Sequence, residues 1–215
     1  MDDPFTRVRT VHPFSHRRAG FSLTELAIVL AAISLILTAV WEGAQSVKAS
    51  SQNSAAVTEL QIISRNILST FEGQSLPGGN TGTAPWLNQI LINAHVIPTA
   101  YVNPSSNGTQ IDHPWAQQSV AIWKVGSAYD NQCSASDNCF RISFYNVPMA
   151  GCIALLTQGT SCQPNQIGCP IQVLTGAGAG GPQNVTATVT PNGASTLCAA
   201  NTPTANSVEF DYLLK

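Results

Sequence analysis

The fold of this chain is decided by Gly20-Phe21-Ser22-Leu23-Thr24-Glu25, which leads into an apolar run that continues to Trp41. From Leu26 to Trp41 no residue is charged. These residues, at about 1.5 Å each, make about 24 Å of helix. With the residues just before them they approach the roughly 20 that cross a bilayer. We therefore expect a spanning helix that carries one carboxylate, Glu25, near its start, where an ionisable group indicates a function.

The same stretch resembles the processing site of type IV prepilins, where a basic leader ends in Gly, an apolar residue follows, and Glu is the fifth mature residue. Gly20, Phe21 and Glu25 occupy these positions without a gap. The resemblance implies cleavage between Gly20 and Phe21 by a prepilin peptidase, N-methylation of Phe21, and a role for Glu25 in filament assembly. An ordinary signal anchor is the alternative. A secretory signal peptide fits less well, because its cleavage site would follow the apolar core.

Charge predicts the orientation of this segment. The residues before it include Arg7, Arg9, Arg17 and Arg18. Positive residues before a spanning helix keep that end in the cytoplasm, so the part after Trp41 is expected to be exported. Removing residues 1–20 takes away four arginines and two aspartates, which changes the formal net charge from −2 to −4. A surface without a basic excess argues against nucleic-acid binding.

Three segments follow from this pattern. Residues 1–20 are expected to form the cytoplasmic leader, which the resemblance implies is cleaved; residues 21–42 are expected to be the transmembrane half of a helix, which the resemblance implies forms the filament core, and residues 43–215 the exported globular domain. No proline occurs from Glu42 to Glu72. An apolar stripe recurs there at helical spacing: Leu60, Ile63, Ile67 and Phe71. We predict one helix from about Ser22 to about Phe71 whose second half buries this stripe.

The rest of the chain is predicted to form strands and short helices. Short helices are expected from about Trp86 to His95 and from Met149 to Thr157. Five segments are rich in strand-forming residues: Ser119–Val125, Phe140–Tyr145, Ile171–Leu174, Asn184–Thr190 and Ser207–Leu214. In the second segment Arg141 and Ser143 alternate with apolar residues, which predicts one buried face. The expected fold class is α+β, with the long helix packed on an antiparallel sheet; the resemblance implies the pilin fold.

The globular part is similar to type IVb pilins. The stretch Ile111-Asp112-His113-Pro114-Trp115 resembles their Asn-Pro-Trp-Gly-Gly turn, with His113 in place of Asn and Ala116-Gln117 in place of Gly-Gly. A helix with Cys152 after Pro148, and Cys198 followed by a final strand, are also similar to that subfamily. Phe21 departs from it, because another apolar residue is more usual there.

Six cysteines, at positions 133, 139, 152, 162, 169 and 198, lie in the part expected to be exported. An even number there indicates disulfides, and six cysteines allow 15 connectivities. The resemblance implies Cys152–Cys198 as the bridge that clamps the C-terminal region onto the sheet. Cys133–Cys139 and Cys162–Cys169 are predicted as local bridges, with a nested pairing such as Cys139–Cys152 as the alternative. Neither local pair has the CxxC spacing of a zinc knuckle, so we expect no metal site.

No catalytic constellation is visible in the sequence. His12 and His16 lie in the leader, and His95 and His113 lie in predicted loops without a nucleophile or metal set. We interpret His113 as a packing or turn residue and Asp112 as a solvated loop charge. The core is expected to hold Trp86, Trp115 and Trp123, with a sugar-binding platform as the alternative. Neither enzymatic activity nor a cofactor is expected.

The function implied by the resemblance is that of a structural subunit of a type IV, IVb-like pilus. Its expected partners are other copies in a helical filament, the prepilin peptidase, and the inner membrane before assembly; no direct nucleic-acid partner is expected. The precursor is expected in the inner membrane of a Gram-negative bacterium and the product in an extracellular pilus. Two alternatives remain: a minor pilin or adhesin at the pilus tip or surface, and a pseudopilin of a type II secretion system.

Overall fold

The computed structural model describes residues 22–77, 87–125, 133, 138–159, 169–176, 183–185, 189–199 and 206–214. The chain divides into two units, Met1–Gln45 and Ser46–Lys215. Helix α1 runs from Leu23 to Thr70, beginning in the first unit and ending in the second. The predicted long helix is therefore confirmed to within one residue at each end. Among the described helices, α1 is long and apolar enough to cross a membrane.

The second unit is built from short helices and one sheet. The helices are α2 (Asn88–Asn93), α3 (Met149–Gly159) and α4 (Pro191–Ala199), with 3₁₀ turns at Thr99–Tyr101 and Pro104–Ser106. The strands are β1 (Ile111–His113), β2 (Ala116–Val125), β3 (Asn138–Val147), β4 (Gln172–Gly176), β5 (Gln183–Val185) and β6 (Asn206–Leu214). The sheet order is β1-β2-β3-β6-β4-β5, and every neighbouring pair is antiparallel. The predicted α+β class and antiparallel sheet are confirmed.

The core of the second unit lies between α1 and one face of the sheet. The predicted helix stripe is buried, with Leu60, Ile63 and Ile67 at most 1% exposed. These residues share one apolar cluster with Phe140 on β3 and Phe210 on β6. A methyl group added at Gly159, the last residue of α3, would lie 2.9 Å from Phe210 Cε1 and 3.1 Å from Leu60 Cδ2. The end of α3, the helix α1 and the strand β6 thus meet at a point that has room only for glycine.

Strand β3 buries both of its faces, so the prediction of one buried face is wrong. Arg141 is 6% exposed and Ser143 is fully buried, although both lie opposite the apolar face. An arginine is buried at this low exposure because it is paired, here with Asp211 and Glu209 on β6. The alternation of polar and apolar residues correctly predicted the strand but not the environment of its polar face.

Other differences lie at helix ends and sheet edges. Helix α4 was not predicted, and it contains Cys198, which precedes the last strand as expected. Thr190 Oγ1 accepts a hydrogen bond from Gly193 N at 3.2 Å, so the residue expected to end a strand begins this helix instead.

The described part of β5 ends at Val185. The sequence assigned as a turn at 111–115 contains the short strand β1, which bulges against β2.

Two asparagine side chains form hydrogen bonds with backbone groups and attach α2 and the segment after α1 to the sheet. Asn88 on α2 donates to Val120 O at 2.8 Å and accepts from Ile122 N at 2.7 Å. Asn138 accepts from Leu76 N at 3.0 Å and donates to Gln74 O at 2.6 Å. The expected start of the first short helix, around Trp86, lies outside the described residues, and α2 begins at Asn88.

Candidate assembly site

The first turn of α1 is closed by Ser22 and Glu25. Ser22 N donates to Glu25 Oε2 at 2.8 Å, and Glu25 N donates to Ser22 Oγ at 3.2 Å. This reciprocal pair is a capping box, which satisfies two amides that the helix leaves without a carbonyl partner. The residue singled out in the sequence as the assembly carboxylate therefore lies at the positive end of the helix, where a negative charge is favourable.

The first part of α1 is apolar all round and exposed within a single chain. Leu23 is 85% exposed and Leu35 is 74% exposed. The other large apolar side chains exposed between Leu23 and Trp41 are Leu26, Ile28, Val29, Leu30, Ile33, Ile36, Leu37 and Val40. A helix that is hydrophobic all round is stable when it is surrounded by lipid or by other helices.

The few polar groups of this part of α1 are satisfied internally. Ser34 Oγ donates to Leu30 O at 2.8 Å, and Thr38 Oγ1 donates to Ser34 O at 2.9 Å. Each hydroxyl thus forms a hydrogen bond with a carbonyl group of its own helix, which lowers the free-energy cost of placing the hydroxyl in an apolar environment. The segment is chemically suited to lipid or to the interior of a helical bundle.

The predicted cleavage and methylation residues, Gly20 and Phe21, lie outside the described residues. Glu25 is described, but the partner amine expected for it belongs to another chain. Cleavage, methylation and the pairing of Glu25 therefore stay predictions.

The structure joins four of the six cysteines in two described disulfides. Cys152 on α3 and Cys198 on α4 are bonded, with Cα atoms 6.0 Å apart, and both are fully buried. Cys133 and Cys139 are bonded with Cα atoms 6.3 Å apart. These are two of the three expected pairs, and the nested alternative Cys139–Cys152 does not form. Cys169 is also disulfide-bonded, but Cys162 lies outside the described residues.

His113 closes the turn between β1 and β2. Its Nε2 donates to Tyr145 O at 2.7 Å, and its Nδ1 accepts from Trp115 N and Ala116 N, each at 3.2 Å. Two donors facing Nδ1 require a neutral ring, and burial lowers the pKa of His113. The interpretation as a packing and turn residue is confirmed. Asp112 is not a solvated loop charge, because it lies in β1 and accepts hydrogen bonds from Asn103.

The described tryptophans do not form a common platform. Trp115 packs against the main core, and a methyl group at Gly151 would lie 2.5 Å from its Cζ2 atom. Trp123 packs against a second apolar cluster that contains Val125 and the Cys133–Cys139 bridge. Trp86 lies outside the described residues. Among the described residues, no group of three His, Cys, Asp or Glu side chains could hold a metal ion.

Comparison with known proteins agrees with this architecture. The family model described as "PilS N terminal" matches residues 50–211. The crystal structure of a type IVb pilin from Salmonella typhi is similar at 20% identity with a TM-score of 0.53, covering 74% of this chain and 98% of that chain.

An NMR structure of the type IVb pilin PilS from Salmonella typhi is similar at 19% identity with a TM-score of 0.46, covering 75% of this chain and 96% of that chain. No curated protein matches the chain significantly. The family match extends over more than half of the chain, and the crystal structure shares its fold. The chain therefore belongs to the PilS N-terminal family and has the fold of a type IVb pilin.

Proposed function

We propose that this protein is a structural subunit of a type IVb-like pilus that assembles through the first part of α1. Membership in a pilin family makes it a subunit of a filament rather than an enzyme. The observation that carries the proposal is the exposure of the apolar residues between Leu23 and Trp41 in a single chain. Their burial against neighbouring helices contributes about 25 cal/mol for each Å² of apolar surface, which favours assembly.

The proposal places the precursor in the inner membrane, with α1 spanning the lipid and the second unit exported. A prepilin peptidase cuts between Gly20 and Phe21, and Phe21 is then N-methylated. The basic leader before a long apolar helix supports this order. In the filament, α1 helices of neighbouring subunits replace the lipid.

Glu25 is proposed to pair with the Phe21 amine of a neighbouring subunit. In the single chain its carboxylate accepts from Ser22 N, so it already lies among the free amides at the start of α1. Inside an apolar filament core a lone carboxylate is costly, and a second positive partner removes that cost. The neighbour's amine would lie at the same end of its own helix.

The test is to shear surface filaments from cells that express the full chain and to sequence the N-terminus of the subunit. Phe21 is expected as the first residue, with the mass of one added methyl group. Gly20→Val should leave the precursor uncut and in the membrane. A mature chain that starts elsewhere would reject the processing proposal. A subunit found only in trace amounts in the filaments would favour a minor pilin instead.

A further inference from the structure

Three polar side chains form a row along the second half of α1. Gln52, Glu59 and Asn66 are seven residues apart, a spacing that places them on one face of a helix. Gln52 Nε2 donates to Pro114 O at 2.8 Å, and Asn66 Nδ2 donates to Val96 O at 2.9 Å. The row therefore faces the segment 96–114, and the residues at both of its ends are hydrogen-bond donors.

Glu59, in the middle of this row, lies in an apolar environment. It is only 1% exposed, and the neighbouring α1 residues Ala56, Leu60 and Ile63 are buried as well. Its Oε1 atom is buried and has no hydrogen-bond partner. An ionised carboxylate in such a place loses its hydration without compensation, so burial favours the neutral acid.

Among the described residues, the titratable groups that act on Glu59 are Asp112 on β1 and Tyr101 on the first 3₁₀ turn, and neither carries a positive charge. Asp112 accepts hydrogen bonds from Asn103 Nδ2 with both carboxylate oxygens, at 2.9 and 3.0 Å. Burial, and after it the charge of Asp112, raise the pKa of Glu59 to about 8.

We propose that the carboxyl group of Glu59 is protonated in the folded protein and that this neutral form stabilises the packing of α1 against the segment 96–114. Loss of the proton in alkaline solution weakens this packing. With the proton, the carboxyl is neutral, like the amides of Gln52 and Asn66 on either side. Without it, a buried negative charge faces Asp112 across the same contact. This packing lies within the second unit and does not depend on how the filament assembles.

Linkage gives the sign and the range of the effect. The folded protein keeps the proton up to about pH 8, whereas an unfolded glutamate releases it near 4.5. The neutral acid makes its full contribution to folding stability below pH 4.5, and this contribution is lost as the pH rises toward 8. Between these two pH values the unfolding equilibrium constant increases about tenfold per pH unit.

The test compares the full chain in detergent micelles with its Glu59→Gln variant by denaturant unfolding between pH 5 and pH 9, followed by tryptophan fluorescence. Glutamine keeps the shape of glutamate but cannot titrate. The unfolding constant of the wild type relative to the variant should rise about tenfold per pH unit up to about pH 8 and then level off. Glu72→Gln, which changes an exposed carboxylate just after α1, should follow the wild type.

Two results would overturn the proposal. A wild-type to Glu59→Gln ratio that does not change with pH would show that Glu59 holds no proton. Stabilisation of the wild type by added Ca²⁺, absent in Glu59→Gln, would show that a cation and not a proton occupies the contact. If Glu59→Gln fails to fold, the carboxyl carbons of the wild type, labelled with ¹³C at glutamate, give the answer by NMR. Because burial also raises the pKa of Glu209, the same spectra are recorded for Glu209→Gln; a glutamate signal that persists in this variant should titrate near pH 8, and its absence would reject the proposal.

Discussion

Arg141 on β3 and Asp211 on β6 lie directly opposite each other, and their side chains form a bidentate ion pair inside the domain. Arg141 Nε and Nη2 donate to the two carboxylate oxygens of Asp211 at 2.6 and 2.7 Å. Arg141 Nη1 donates to Glu209 at 2.9 Å. One guanidinium therefore serves two carboxylates, and burial still raises the pKa of Glu209 although Arg141 opposes that shift.

Arg141→Met should destabilise the domain strongly. It leaves the fully buried Asp211 without its bidentate partner, and breaking a buried pair by removing one member costs roughly 3–5 kcal/mol. The free energy of unfolding, measured by denaturant titration, checks this. Arg65→Met, at an exposed position of α1, should cost less than about 0.5 kcal/mol. The double variant Arg141→Met/Asp211→Leu should recover part of the loss; equal losses in the single and double variants would contradict the ion-pair account.

Glu25→Ala should give stable, processed monomer but few filaments. The substitution removes the half of the capping box that the Glu25 carboxylate provides, while the backbone amide at this position still donates to Ser22 Oγ; it also leaves the proposed neighbouring amine without a partner in the filament core. Pilin content of the sheared surface fraction, relative to total pilin, measures the effect. Glu42→Ala, which removes an exposed carboxylate farther along α1, is the matched control and should assemble normally. Normal piliation in Glu25→Ala would reject the assembly role.

Cys198→Ser should be far more damaging than Cys133→Ser. The Cys152–Cys198 bridge spans 46 residues and joins two helices, whereas Cys133–Cys139 spans 6. In the chain-entropy model these loops contribute about 4 and about 2 kcal/mol. Steady-state pilin in the cell and thermal unfolding of the purified variants compare the two. Comparable stability of both variants would mean that the long bridge does not constrain the unfolded chain as proposed.

Acid should destabilise the domain through His113. Its folded-state pKa lies below the usual value of 6.5, because burial opposes the charged ring. Stability from the neutral ring is complete above pH 6.5 and is lost as the pH falls toward the lower folded-state pKa. His113→Gln should remove this part of the pH dependence, measured as the change in melting temperature between pH 7 and pH 5. His95→Asn, at an exposed position, should keep the wild-type slope.

The long helix and four strands could be predicted because their signals are local. The helical stripe of α1 and the strand-forming residues near 120, 140, 172 and 210 each specify an element within a short window. The motif from Gly20 to Glu25 is local as well, and the cleavage that it predicts stays a prediction. Pairing of Cys152 with Cys198 was accessible only through resemblance to a family, because spacing alone does not select one of the possible connectivities.

The features that could not be predicted depend on tertiary contacts. Helix α4 contains Asn, Gly, Ser and Thr, which are weak helix formers, and Thr190-Pro191 was its one local start signal. Arg141 follows the pattern of a solvent-facing residue because its partners are distant in sequence. Glu59 was not singled out in the sequence, because a sequence does not show that a carboxyl group is buried.

The central position of β6 sets the order of events during export. Strand β6 pairs with both β3 and β4, although it follows them in the chain. In the proposed export, β3 and β4 each present an unpaired edge until residues 206–214 have passed the membrane, and such an edge is a template for association with another chain. Cys133 and Cys139 can be oxidised early in this interval, whereas Cys152 must wait as a free thiol until Cys198 arrives. A chain halted before β6 would therefore be both aggregation-prone and open to mispaired oxidation, so completion of translocation precedes completion of the sheet.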